Sequence, residues 1–397
     1  MILKEIVSNP VESLDYLERQ VNDGSPSGFS ERNNTSQSTN PFFAESFYLI
    51  GLANADKIIN YGNLPTRFSE DNFLYAHPDW VTKNSGKIDV INTNVLVSPT
   101  SSSRTVRLKI SPFYLKLSYP GVIGRMQRDL TETHINSVIQ ISNIFKSLCT
   151  SKGMPDTFAF LPEEGGRLYT KGLFKTGFII RNSLPLGKRV NEIKYIVPAF
   201  SLFSSDRQSK FDAPLIVQIL ADKTDCSSFL LESLMFPLID IYFTCSLTEG
   251  LNPEMHAQNL LIGFNENNDI VSLILRDLES VDKDITIRLG LGKDEFINDY
   301  KCIKEEDYNY KIKHSFMFDH KLGEYFFGAL INCLVKYKLV DAANIINKLR
   351  AYVHSNYSHI IKGYFPADGI WYKFENTEID RSTPMRPYLQ MQNSILR

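Results

Sequence analysis

No Cys-x-x-Cys pair occurs in this chain, and its five cysteines, Cys149, Cys226, Cys245, Cys302 and Cys333, are odd in number and far apart. That spacing signals neither a zinc ribbon nor a disulfide framework, and it fits a reducing compartment. An excess of one charge is missing too: 43 Lys and Arg face 45 Asp and Glu, for a net charge of −2. A bulk electrostatic grip on nucleic acid or on an anionic membrane is therefore not expected, while a local basic pocket stays compatible with the balance. The opening "MILKEIVSNPVESLDYLERQ" carries acidic residues early and has no apolar signal-peptide run. The longest greasy stretch, "FLLESLMFPLIDIYFTCSL", is interrupted by Glu232, Pro237 and Asp240, so it reads as a buried helix and not as a membrane span. There is no internal repeat, and apolar residues almost vanish between Asn22 and Pro41, which reads as a flexible linker. These absences lead to the expectation of a cytoplasmic globular protein.

What is present is a 397-residue chain with 43% hydrophobic and 22% charged residues, long enough for two or three lobes. Residues 1–20 read as a short helix. Segments over 87–118 rich in Val, Ile, Leu and Thr, separated by turn residues, predict antiparallel strands. "LTETHINSVIQISNIFKSLC" has helical periodicity behind a Thr-x-Thr start. Strand-like pieces return at 157–203, where "EEGGR" reads as a hairpin turn. A single long helix is expected over 213–248, and helices again from about 315. The expected class is α+β: a mixed or antiparallel sheet region followed by a mainly helical lobe. The expected divisions are 1–70, with the 22–41 linker, then 71–210 and 211–397.

Three stretches carry chemistry. In "NPEMHAQNLL", Glu254, His256, Gln258 and Asn259 crowd into six residues, and an apolar strand ending in Asp277 follows. Magnesium takes hard oxygens, few from protein and the rest from phosphates and water, and Glu254, Asn259 and Asp277 could supply them. The same residues would also serve a polar loop capping a helix, with Asp277 in a surface pair. In the second stretch, Ser102-x-Arg104-Thr105 is followed by Lys116 and Arg128 at intervals of twelve. Hydroxyls, a bidentate guanidinium and a point-charge ammonium suit phosphate, but each cation could equally sit solvated on a hairpin. The G-x-x-x-x-G-K of a Walker loop is absent. The third stretch, "FLYAHPDW", places His77 near a turn, where a structural histidine is a plainer reading than a catalyst.

Order and spacing together resemble the NRPS-independent siderophore synthetases, the aerobactin-type family of citrate–amine ligases. That family reads approximately H-P-W-Q, S-x-R-T, K-L-S…T…R, I-x-R-E-N, V-P-A-x-x-L, E-x-H-x-Q-N and R-D. Here the same order runs His77-Pro78, Ser102-x-Arg104-Thr105 and Lys116-Leu117-Ser118…Arg128. It continues through Ile180-Arg181-Asn182, Val197-Pro198-Ala199-Phe200-Ser201-Leu202, Glu254-Met255-His256-Ala257-Gln258-Asn259 and Arg276-Asp277. The departures are His77-Pro78-Asp79-Trp80 for H-P-W-Q and Gly124 at the Thr position. Family members are longer ahead of His77, so a reduced thumb lobe is expected beside fingers (71–210) and palm (211–397).

The resemblance implies an ATP-dependent, magnesium-requiring ligase. It would form an acyl-adenylate of a polycarboxylic acid such as citrate, then join it to an amine or hydroxyl. By motif, Ser102, Arg104, Thr105, Lys116, His256, Gln258 and Asn259 would contact ATP. Arg104, Lys116, Arg128 and His256 would act in catalysis, and His77, Arg128 and Arg181 would face the carboxylate substrate. Glu254, Asn259 and Asp277 would hold magnesium. The implied partners are small molecules, with neither nucleic acid nor membrane, and a homodimer is compatible. Two other readings stay open. Glu254-x-His256-x-x-Asn259 followed by Asp277 is similar to the loop of aminoglycoside-type kinases, with Glu254 as general base. A shortened, inactive relative that binds a carboxylate ligand or a partner enzyme is the third.

Overall fold

The computed structural model describes residues 6–22, 46–69, 74–102, 104–123, 126–208, 213–293, 296, 299–372, 388–391 and 393–397. Apart from Asn22, the linker expected at 22–41 lies outside them. The architecture is α+β, as the patterning predicts.

Alternation builds the largest layer, an eight-stranded antiparallel sheet. Its spatial order is Lys57–Gly62, Glu163–Lys171, Phe174–Asn182, Phe113–Leu117, Thr105–Leu108, Asp89–Pro99, Phe47–Ala53 and Leu74–Ala76. Two strands thus come from within 1–70. The register pairs Thr105 with Lys116, Arg107 with Tyr114, and Arg181 with Tyr114. Period-2 geometry therefore puts Lys116 and Arg181 on one face. The opposite face presents Val106, Leu108, Leu115, Leu117, Phe178 and Ile180, which close a core with Leu74, Trp80 and Val97.

A second, mixed sheet runs Leu186–Gly187, Phe158–Phe160, Ile270–Leu275, Leu260–Phe264 and Tyr195–Pro198. Its Ile270–Leu275 strand is buried at every position. The main core joins it to the Glu132–Leu148 helix, capped by the Thr131 side chain, and to the helices of the C-terminal half. The Cys226–Glu249 helix is long and apolar enough to cross a membrane by length and composition alone, but Leu230, Leu234, Leu238, Ile241 and Tyr242 are fully enclosed in that core.

Two expectations change. The single helix over 213–248 is two, Leu215–Leu220 and Cys226–Glu249, because the Asp225 carboxylate accepts from the Ser228 N–H at 2.9 Å and starts a new helix. "EEGGR" is not a turn but the start of the Glu163–Lys171 strand. A Cβ on Gly166 would stand 2.7 Å from the Phe178 carbonyl and 2.9 Å from the Ile135 side chain, so the glycine permits close approach of strand and helix.

Candidate active site

The polar face of the large sheet looks onto the end of the Ile270–Leu275 strand, where the chain leaves the smaller sheet. Asp277 there has φ +69° and ψ 63°, a left-handed turn that Asp tolerates better than most side chains. It opens the short Leu278–Ser280 helical turn, which swings Glu279 to the same side. Cations from the large sheet meet this carboxylate pair. Lys116 Nζ contacts Asp277 Oδ1 and lies 2.7 Å from Glu279 Oε2. Arg104 Nη2 reaches the same Glu279 oxygen at 2.7 Å, and Arg181 Nη2 lies 3.4 Å from Asp277. Arg181 is also clamped by its cross-strand neighbour Glu163, with Nε 2.7 Å from Oε1.

Burial raises a carboxyl pKa, yet here Lys116 and Arg181 outweigh it and hold Asp277 well below the usual range. Arg104 and Lys116 do the same for Glu279. Arg104 Nη1 also donates to the Arg128 carbonyl at 3.0 Å. Arg128 Nε is buried with no hydrogen-bond partner among the described residues. A buried, unanswered donor beside a cation cluster asks for an acceptor from outside.

The 254–259 loop forms the other wall. Glu254 Oε1 pairs with Lys321 Nζ at 2.7 Å, and Lys321 with His256 overcomes the burial penalty to bring Glu254 down to about 2. Burial pushes His256 down to about 4. Its Nδ1 accepts the Gln258 N–H at 3.2 Å, so the neutral ring carries its proton on Nε2, which faces Glu254 Oε2 at 3.8 Å. Asn259 Nδ2 donates to the Glu254 carbonyl and to Ser280 Oγ, both at 3.1 Å, so both amide hydrogens are used and the amide oxygen is not needed for them. Among the described residues no three His, Cys, Asp or Glu side chains converge as a metal cage. One amide oxygen and two ionised carboxylates still suit magnesium, which keeps much of its water and takes phosphate oxygens.

Ser102 and Thr105 form the turn before the Thr105–Leu108 strand, with Thr105 Oγ1 donating to Ser102 Oγ at 3.4 Å. Gln258 Nε2 reaches the Ser101 carbonyl at 3.4 Å across the cleft. His77 is placed differently. It caps the Pro78–Lys83 helix by accepting the Asp79 N–H at 3.0 Å, a structural role beside the substrate-facing one that the family motif implies, and its ring packs edge-on against Tyr119. Tyr119 N–H shares the Arg128 carbonyl with Arg104, so His77 borders the cluster through one neighbour. Sequence reasoning missed Glu163, Glu279 and Lys321. Glu279 stands two residues beyond Asp277, and Lys321 interrupts an apolar helix; both are visible signals only once a site is assumed.

No family model and no curated protein matches the chain. Solved structures do. The petrobactin biosynthesis protein AsbB from Bacillus anthracis str. Sterne matches with a TM-score of 0.66 and 18% identity, over 88% of this chain and 68% of that one. Aerobactin synthetase IucA from a hypervirulent pathotype of Klebsiella pneumoniae matches at 0.62 and 16%, over 83% and 66%. Its ATP-bound form matches at 0.62 and 17%, over 82% and 64%. The chain has the fold of the NRPS-independent siderophore synthetases. It spans just under two thirds of the length of the two IucA structures. Within this fold Arg104, Lys116, Arg181 and Asp277, from four separate motifs, meet in one cluster.

Proposed function

We propose that the chain is an ATP-dependent ligase of siderophore biosynthesis, which adenylates a polycarboxylic acid such as citrate and passes the acyl group to an amine or hydroxyl. The observation that carries this reading is the convergence of Arg104, Lys116 and Arg181 on Asp277 and Glu279, with Arg128 Nε unanswered beside them. A carboxylate and a triphosphate repel each other, and a carboxylate does not acylate amines until one oxygen becomes part of a good leaving group. Preorganised cations at one locus meet the first need, and adenylation meets the second.

The substrate carboxylate oxygen attacks the α-phosphorus, and the α–β bridge bond breaks to release pyrophosphate. The nucleophile then attacks the acyl carbon, AMP departs with the carboxylate-derived oxygen, and the nucleophile loses a proton. Arg104 and Lys116 exchange their carboxylate partners for phosphate oxygens, Arg128 turns its free N–H to the reacting charge, and Arg181 faces the acid. Ser102, Thr105 and Gln258 line the nucleotide, and neutral His256 donates from Nε2. Glu254, Asn259 and Asp277 would hold magnesium, which supplies charge neutralisation at the phosphates. The kinase reading needs Glu254 as a base, but a carboxyl at about 2 that is paired with Lys321 accepts a proton poorly at neutral pH.

The test is labelled pyrophosphate exchange into ATP over a panel of di- and tricarboxylates, with hydroxylamine trapping of the acyl group. Exchange and hydroxamate, both reduced by Arg104→Ala, support the ligase. ADP with a phosphorylated acceptor and no AMP overturns it. ATP binding without either signal across the panel favours the inactive relative.

A further inference from the structure

The Pro10–Gln20 helix is anchored into the site's scaffold at two levels. Asp15 receives Arg107 Nε at 2.6 Å and Lys109 Nζ at 2.6 Å, on the outward part of the large sheet. One turn later Glu18, 2% exposed, accepts the Ser101 N–H at 3.1 Å and both terminal nitrogens of Arg276, Nη2 at 3.4 Å. Arg276 in turn donates from Nε to the Gln258 carbonyl at 2.7 Å and from Nη2 to Ser101 Oγ at 3.4 Å. The next residue, Arg19, donates to the Thr100 carbonyl at 2.6 Å.

The tied residues are not scattered. Ser101 precedes Ser102, Gln258 precedes Asn259 and Arg276 precedes Asp277. One carboxylate therefore joins the turn of the large sheet to both nucleotide-facing segments of the smaller one. We propose that Glu18 is a positioning residue of the nucleotide site: it fixes the distance between the 101–105 turn and the Gln258–Asn259 and Arg276–Asp277 pairs, and does not itself touch nucleotide. This rests on the ligase reading for what the site binds, while the fixing of the three segments stands on geometry alone. A fork-shaped guanidinium and a carboxylate give a directional joint that an amide does not reproduce. A shift of about 1 Å between groups that grip one ligand costs on the order of a hundredfold in rate.

The experiment compares Glu18→Gln and Glu18→Asp with Asp15→Asn, which loosens the same helix away from the site. In the exchange assay the Glu18 variants should raise the KM for ATP by about tenfold, a partial loss of that geometric effect, and leave the KM for the acid within twofold. Glu18→Asp keeps the charge and serves if the Gln variant folds poorly. Asp15→Asn should leave the KM for ATP unchanged. A Glu18 variant with wild-type KM for ATP, or an equal rise in Asp15→Asn, overturns the proposal. If the wild type shows no exchange with any acid, the ligase reading fails, and Glu18 is judged by amide hydrogen exchange of the nucleotide-free protein. Faster exchange at 100–105 and 256–260 in the Glu18 variants alone supports it, and unchanged exchange overturns it.

Discussion

Lys116→Met removes one charge from a nearly closed system and keeps the volume of the stem. Lys116 is 2% exposed, and it touches both Asp277 and Glu279. Without it, among the described residues, Glu279 keeps Arg104 at 2.7 Å and Asp277 keeps Arg181 at 3.4 Å. Removing one partner of a buried pair costs about 3–5 kcal/mol. The Asp277 side chain is 30% exposed and can turn toward water, so the low end, about 3 kcal/mol, is expected. Urea unfolding measures that loss. A structural role alone ends there, so ATP is the second arm. At a hundredfold over its Kd, ATP should stabilise the wild type by about 2.7 kcal/mol through binding linkage. The variant should gain almost nothing if Lys116 is the phosphate ligand proposed. A variant that loses stability yet is stabilised by ATP as much as wild type refutes Lys116 as a phosphate ligand. A variant within about 0.5 kcal/mol of wild type refutes the buried-pair reasoning itself.

Other outcomes follow from the same geometry. Asp277→Asn should nearly abolish turnover with the fold retained, because Asn also accepts φ +69°; near wild-type rate at saturating magnesium removes Asp277 from the site. Gly166→Ala should destabilise by a few kcal/mol, since its Cβ would meet the Phe178 carbonyl at 2.7 Å; an unchanged urea midpoint refutes the close-approach argument. His256 titrates at about 4 when folded and about 6.5 when unfolded, so the unfolded chain binds more protons in between and stability falls as pH drops through that window. His256→Gln should therefore flatten the loss between pH 6.5 and 5 by about 2 kcal/mol, leaving a share to His320, which burial also pushes down; an unaltered slope contradicts the assignment.

The strands and the 132–148 helix were legible because alternation, 3.6-residue spacing and a Thr cap are local signals. The break at 221–225 was not: Asp222-Lys223-Thr224-Asp225 is polar, but the apolar runs 215–220 and 229–231 join into one helical pattern unless the Asp225 cap is recognised. The motif cations were legible as types, but their partners were not. Glu279 meets Arg104 across 175 positions, and only the docking of two sheets reveals that pairing. The same holds for Glu254, whose loop reads as a metal site while its carboxylate is held by Lys321 from a distant helix. Ordered motifs carry the set of residues, and the tertiary arrangement decides which of them share a charge.

The two sheets contribute opposite signs. The large sheet brings Arg104, Lys116 and Arg181, and the smaller sheet's strand end brings Asp277 and Glu279. Each set alone would be a repelling cluster, so the cations hold these positions only when the sheets are docked. The docking is itself held from the far side of the same strand end. Arg276 turns to Glu18 while the next residue, Asp277, turns to Lys116. Adjacent residues pulled in opposite directions suit the left-handed backbone at Asp277, whose strain the flanking ion pairs over-determine. The acidic pair thus keeps the cations together. Under the proposed ligase reading, the same pair would yield these cations to phosphate oxygens by a single exchange of partners, which is what a reaction between two anions requires.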